Sequence, residues 1–187
     1  MPFKDHSMTT PENVVSRFMT AADHFEVAGA ITVSSPAIHA IQKEGERDLA
    51  ALVGEDEAAN LIADRRQRDG DKAHVTIVSP PEARKVLDNL AAEALAADPT
   101  LSKGKAKDAA KARLKELTAS WKVGSMQSKG LGRAEAGSNE AYFVVLSWPE
   151  GRKIRESLGL DGDGQDFHVT VGFKGADVHG VRKNRPL

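Results

Sequence analysis

Two short segments of the chain set a histidine and a threonine two positions apart: Ala73–Val78 reads AHVTIV, and Phe167–Phe173 reads FHVTVGF. Alternate residues of a strand share one face. In the second segment Phe167, Val169, Val171 and Phe173 are therefore expected to line a core, with His168 and Thr170 together on the other side. In the first, Val75 and Ile77 turn inward while His74 and Thr76 turn outward. Each strand thus offers an imidazole beside a hydroxyl, backed by an apolar layer. An imidazole titrates near neutrality, so two that face one another can serve as base and acid in one turnover. A threonine hydroxyl donates to an anionic oxygen, and two of them flank a tetrahedral anion well. A phosphodiester held between the strands suits this set. One histidine takes a proton from the attacking water, and the other protonates the departing sugar oxygen.

With 6 His in 187 residues, composition alone supplies about 0.3 His-x-Thr triplets per chain. Two copies, both HVT followed by an aliphatic residue, are not what chance provides. The remaining histidines read differently. His6, His24 and His39 fall near a terminus, at a helix end or within a helix, as ordinary surface or packing residues. His179, in GADVHG, lies only a loop beyond the second motif and is a candidate for substrate contact. Zinc is the competing use of the pair, but two histidines without a carboxylate or cysteine leave its coordination sphere short. Neither a metal nor a cofactor is expected. The absence of cysteine removes disulfides and thiolate chemistry.

The elements that must position these residues form a repeat. A helix is expected over about residues 10–22, from Thr10 as N-cap and Pro11 in its first turn. Phe25–Val33 (FEVAGAITV) reads as one strand, weakened by two alanines and a glycine. Ser35-Pro36 opens a helix to about Val53, Gly54 breaks it, and a further amphipathic helix precedes the first motif. Ser79-Pro80-Pro81-Glu82 is a capping box with prolines in the first turn, predicting a helix to about Ala97. The alanine- and lysine-rich stretch after Asp98 reads as a solvated linker passing into a helix. Irregular strands with glycine turns are expected over Trp121–Glu135, then a clear strand, AYFVVLSW, and a short helix from Pro149 to near Gly159. Ile31–Ile41 (ITVSSPAIHAI) and Val144–Ile154 (VVLSWPEGRKI) both run strand, Ser-x-Pro, helix, and each leads on to an HVT strand. The first half holds one extra helix. A duplicated α+β lobe is the simplest account. One domain across residues 1–187 follows, with lobe one at about 23–120 and lobe two at about 121–187.

Paired His-x-Thr strands in a duplicated lobe resemble the two-histidine (2H), LigT-like phosphoesterases. That superfamily includes bacterial RNA 2′,3′-cyclic phosphodiesterases, once called 2′-5′ RNA ligases, and the cyclic phosphodiesterases of tRNA splicing. The longer string FHVTVGFKGADVHGVRKN (Phe167–Asn184) is similar to the branch associated with Swiss army knife RNA-repair proteins. The resemblance implies an α+β fold of duplicated βα lobes, whose two antiparallel sheets form a central cleft. It implies His74 and His168 as catalytic residues and Thr76 and Thr170 as phosphate-binding residues. It implies a metal-independent hydrolase of 2′,3′-cyclic phosphates, on an RNA end or a cyclic nucleotide, in RNA processing or repair. A non-catalytic RNA-end or nucleotide-binding module is the rival from another class. Passive 2′-5′ RNA ligation in the same cleft is a second rival, although no adenylating lysine motif is apparent.

A formal net charge of −1 excludes a surface built throughout to hold long nucleic acid, so an anionic partner must meet a local patch. The tail after the second motif, KGADVHGVRKNRPL, carries Lys174, Arg182, Lys183 and Arg185 against Asp177. It is the first candidate for that patch, and Lys129 and Arg133 in SKGLGR are the second. No apolar run approaches the roughly 18–20 residues that span a bilayer, and the N-terminus has no signal-peptide stretch. A soluble, monomeric cytoplasmic protein is the expectation.

Overall fold

The computed structural model describes residues 23–187; the helix expected over 10–22, and His6, lie outside the described residues. Two three-stranded antiparallel sheets carry the motifs. The first has strands β1 (His24–Val27), β2 (Ile31–Ser34) and β3 (Val75–Val78), in that order; the second has β4 (Gln127–Ala136), β5 (Asn139–Ser147) and β6 (His168–Lys174), also in order. Between β2 and β3 run α1 (Pro36–Val53) and α2 (Glu55–Asp69); α3 (Pro80–Ala97) and α4 (Lys103–Ala119) follow β3, and α5 (Pro149–Ser157) joins β5 to β6.

The local signals act as their chemistry requires. Ser35 caps α1 by accepting from the Ile38 amide at 3.2 Å, with Pro36 in the first turn. Glu82 closes the capping box at α3, its Oε2 accepting from the Ser79 amide at 3.0 Å and hydroxyl at 2.7 Å. Gly54, at φ 92°, separates α1 from α2 in a conformation that side chains rarely adopt.

Two expectations are corrected. Phe25–Val33 is not one strand but the hairpin β1–β2, turning through Ala28–Ala30 with Ala28 N donating to Ala30 O. Trp121–Glu135 is not a set of irregular strands; it ends in one ten-residue strand, β4, whose register slips once between Ser128 and Gly130. The lysine-rich stretch also packs more than a solvated linker would: α4 buries Ala106, Ala110 and Leu114, one side of the helix at four-residue spacing, and lies along α3.

The repeat extends to an irregularity that the sequence does not announce. In β3, Thr76 pairs with Thr32 and Val78 with Ile31, so Ile77 is an extra residue; in β6, Thr170 pairs with Phe143 and Gly172 with Tyr142, so Val171 is extra. Each motif strand therefore carries a β-bulge immediately after its threonine. A bulge bends its strand and re-aims the side chains beyond it. This corrects the assignment of Phe173. Phe167, Val169 and Val171 do join the main core, but Phe173 crosses to the opposite face with Ala141, Phe143 and Val145.

The main core is continuous across both lobes, from Ile31, Val33, Val75 and Ile77 to Val144, Val169 and Val171. Helices α1 and α2 of lobe one lie on the sheet of lobe two. A Cβ on Gly45 of α1 would stand 2.5 Å from Val144 Cγ2, and one on Gly172 of β6 would stand 3.0 Å from the Leu61 backbone. Conversely, α5 of lobe two packs against β3. This exchange fixes the two motif strands relative to each other.

Candidate active site

A cleft of about 1030 Å³ is lined by His74, Thr76, His168 and Thr170, so both motifs open into one space. Residues from β3, the Asp161–Asp166 loop, β6 and the C-terminal segment complete its walls. The side chains of the motifs point there because the apolar residues between them are drawn into the core: Val75 and Val169 are both fully buried.

His168 is held most closely. Its Nδ1 lies 2.7 Å from the carbonyl oxygen of Asp166. A carbonyl only accepts, so Nδ1 carries the proton and, in the neutral ring, the lone pair is on Nε2. The ring stands edge-on to Phe143, with centroids 5.6 Å apart. Burial, and then the positive charge of Lys183, push the imidazole down to about 4, because both disfavour the charged form. His168 is thus neutral at physiological pH with its basic nitrogen defined. Thr170 beside it is buried, at 9 % exposure. His74 and Thr76 are half-buried, and His74 also borders a smaller pocket of about 240 Å³ edged by Glu26, Asp69 and Lys72.

The basic residues proposed for substrate contact separate into two groups. His179, Arg182 and Lys183 line the cleft; Lys129, Arg133 and Lys174 do not. Arg133 pairs across the ladder with Tyr142, on the face opposite His168, and its guanidinium is engaged by Glu135 and Glu140. Lys129 and Lys174 are exposed. His24 and His39 are exposed outside the cleft. Nor is the tail an unencumbered basic patch. Arg182 forms two hydrogen bonds to the Asp166 carboxylate, at 2.7 and 2.8 Å, and Lys183 is buried against Asp177 at 3.0 Å.

Sequence reasoning missed Asp166, Asp177 and Arg68. Asp166 is the hub: its carbonyl orients His168, and its carboxylate holds Arg182 and the Lys183 amide. Its place two residues before the motif histidine was the available signal. Arg68, from the end of α2, binds Asp177 at 2.7 Å and lies 4.7 Å over the Phe173 ring. Only the fold brings it there.

The family model described as Swiss Army Knife, 2H phosphoesterase domain matches residues 30–179, a span that contains both motifs. The chain belongs to the 2H phosphoesterases. Within them it falls in the Swiss Army Knife branch, and its α+β fold of two three-stranded antiparallel sheets is that of the duplicated lobe. No curated protein and no solved structure matches it. A 2H phosphoesterase is a phosphodiesterase-type hydrolase, and the cleft supplies what such chemistry uses: two imidazoles and two hydroxyls, on strands backed by a buried apolar core.

Proposed function

We propose that the chain hydrolyses 2′,3′-cyclic phosphates without a metal, with His168 as general base and His74 as general acid, in RNA processing or repair. One observation carries the division of roles: the bond from His168 Nδ1 to Asp166 O leaves Nε2 as an acceptor in a ring that burial keeps neutral. A water oxygen attacks phosphorus while its proton passes to His168 Nε2. The phosphorus bond to one ribose oxygen breaks, and that oxygen takes a proton from His74. Thr76 and Thr170 donate to the non-bridging oxygens, where charge accumulates in the transition state. The product is a phosphomonoester, and protons balance because the next cycle begins when the two imidazoles exchange theirs with solvent.

Between an RNA end and a small nucleotide, the charges favour the small substrate. Among the described residues, the cleft is lined by three cations, Arg68, Arg182 and Lys183, and five aspartates. All three cations already hold carboxylates, so the counterion-releasing contacts that grip a nucleic-acid backbone would first have to break ion pairs. Incubation with a 2′,3′-cyclic mononucleotide in excess EDTA, followed by phosphorus NMR, tests the reading. Conversion to a single phosphomonoester supports it. No conversion with EDTA, but conversion once a divalent ion is restored, overturns the metal-independent mechanism.

A further inference from the structure

The helices that follow the two Ser-x-Pro turns each bury a polar side chain where an aliphatic one would be ordinary. Gln42 of α1 is 3 % exposed and Arg155 of α5 is 0 % exposed. Counted from Pro36 and Pro149, they occupy the same position of the repeat, six residues on. Each reaches across to the opposite lobe. Gln42 Nε2 donates to Thr170 O at 2.8 Å, and Arg155 Nη1 donates to Ile77 O at 2.8 Å. Both carbonyls sit at the bulges of the motif strands: Thr170 immediately precedes the extra residue of β6, and Ile77 is the extra residue of β3. A bulge interrupts the ladder, and these donors arrive beside the interruption.

We propose that Gln42 and Arg155 are a matched pair of positioning residues, each fixing the His-x-Thr strand of the lobe it does not belong to. Neither touches the reacting atoms. Gln42 acts on the peptide unit that follows Thr170, so it sets the strand twist that aims the Thr170 hydroxyl and, two residues before it, His168. Arg155 does the same one residue beyond Thr76. It also holds Asp161 O at 2.8 Å, at the start of the loop that leads to Asp166, and the Glu82 carboxylate at 2.7 Å. A helix side chain that served only packing would have no reason to be polar at both equivalent positions, or to end on the motif strand of the other lobe in both.

The assignment rests on the reading of the cleft as a cyclic phosphodiesterase, and the test separates the two. Gln42→Met keeps the volume and removes the donor. With a 2′,3′-cyclic mononucleotide, it should lower kcat by about ten- to a hundredfold, the cost of a small misplacement, with KM changed by less than about twofold. In a Thr170→Val background the share of that loss carried by the Thr170 hydroxyl should vanish, because residues that act through one another are not additive, while the share carried by His168 remains; in a Thr76→Val background the loss should persist in full. Arg155→Lys should couple to Thr76→Val instead. Hydrogen–deuterium exchange of the free protein supplies the arm that needs no substrate. Gln42→Met should speed exchange in the β6 peptide and leave β3 as in the wild type. Equal losses in both threonine backgrounds, or exchange that quickens alike in both motif strands, would overturn the proposal and leave Gln42 a packing residue. If Arg155→Lys does not fold, the Gln42 cycle decides alone. A wild type that opens no cyclic phosphate refutes the functional reading, while the exchange comparison still decides the positioning.

Discussion

The Nδ1 of His168 stands 2.7 Å from the carbonyl oxygen of Asp166, and through that bond the backbone sets which nitrogen of the proposed base is left to accept a proton. The same ring is largely withdrawn from solvent and lies near Lys183, and the loss of hydration, then that charge, hold its pKa down to about 4. The acid limb of kcat/KM against pH reports the free enzyme's base, so it should fall near pH 4 and not near 6.5. The limb for kcat should lie higher, because a bound phosphate anion favours the imidazolium. A free-enzyme limb near 6.5 would show that His168 is not the base, or is not buried in solution.

Lys183 offers a control on that value. Its ammonium is nearly buried, bonded to Asp177 and 5.6 Å from the Phe143 ring centroid. Lys183→Met keeps a comparable stem and removes the charge that lowers the His168 pKa. The acid limb of kcat/KM should move upward, toward but not reaching 6.5, since burial is the larger cause and remains. An unmoved limb would mean that the ammonium does not act on the imidazole.

One ion pair should make the contact between the lobes weaker in acid. Arg155 binds both oxygens of Glu82 across the interface, at 2.7 and 3.1 Å, and chiefly for that reason the Glu82 carboxyl sits down at about 2. A carboxyl depressed in the folded state contributes stability above its unfolded value of about 4.5 and loses it as pH falls through its folded value. With partial exposure allowed for, the contribution is on the order of 2 kcal/mol. Urea midpoints of wild type and Glu82→Gln should therefore differ at pH 7 and converge as pH falls from about 4.5 toward 2. His168 adds a slope of the same sign between pH 6.5 and about 4, because its unfolded form binds the extra proton, but it does so in both proteins. A difference that stays constant down to pH 2 would contradict the assignment to this pair.

The neighbours of the C-terminal tail change what its charge can do. Arg182 and Lys183 are satisfied by Asp166 and Asp177, which lie sixteen and six residues earlier in the chain and carry no pattern marking them as partners. Arg182 is largely exposed, so its pair is worth little. Arg182→Gln should change kcat/KM on a cyclic mononucleotide by less than about twofold, and should leave the salt dependence of oligonucleotide binding as in the wild type. A marked flattening of that salt dependence would restore the tail as an RNA contact.

What the sequence disclosed was what alternation and capping encode. The faces of β3 and β6 up to their threonines, the start of α1 at Ser35, and the Ser79–Glu82 box were legible because each depends on residues close in sequence. The bulges were not: Ile77 and Val171 look like any aliphatic residue in a strand, so strict alternation places Phe173 on the wrong face. β4 was obscured by its glycines, which tertiary packing requires. A Cβ on Gly132 would meet the Phe143 ring at 2.5 Å and the Arg185 carbonyl oxygen at 2.7 Å. Gln42 and Arg155 stand at matching places in the repeat, but it is the crossed lobes that bury them, and nothing local in the sequence marks that.

In the proposed mechanism His168 and His74 each carry out one of the two proton transfers of a turnover. The most direct test is hydrolysis of a 2′,3′-cyclic mononucleotide by His74→Ala and His168→Ala, with folding checked by circular dichroism. Each variant should remain folded, because both imidazoles face the cleft and not the main core, and each should lose roughly 10²–10⁴-fold in rate, the span of general acid–base catalysis. Either one turning over at the wild-type rate would contradict the two-histidine mechanism.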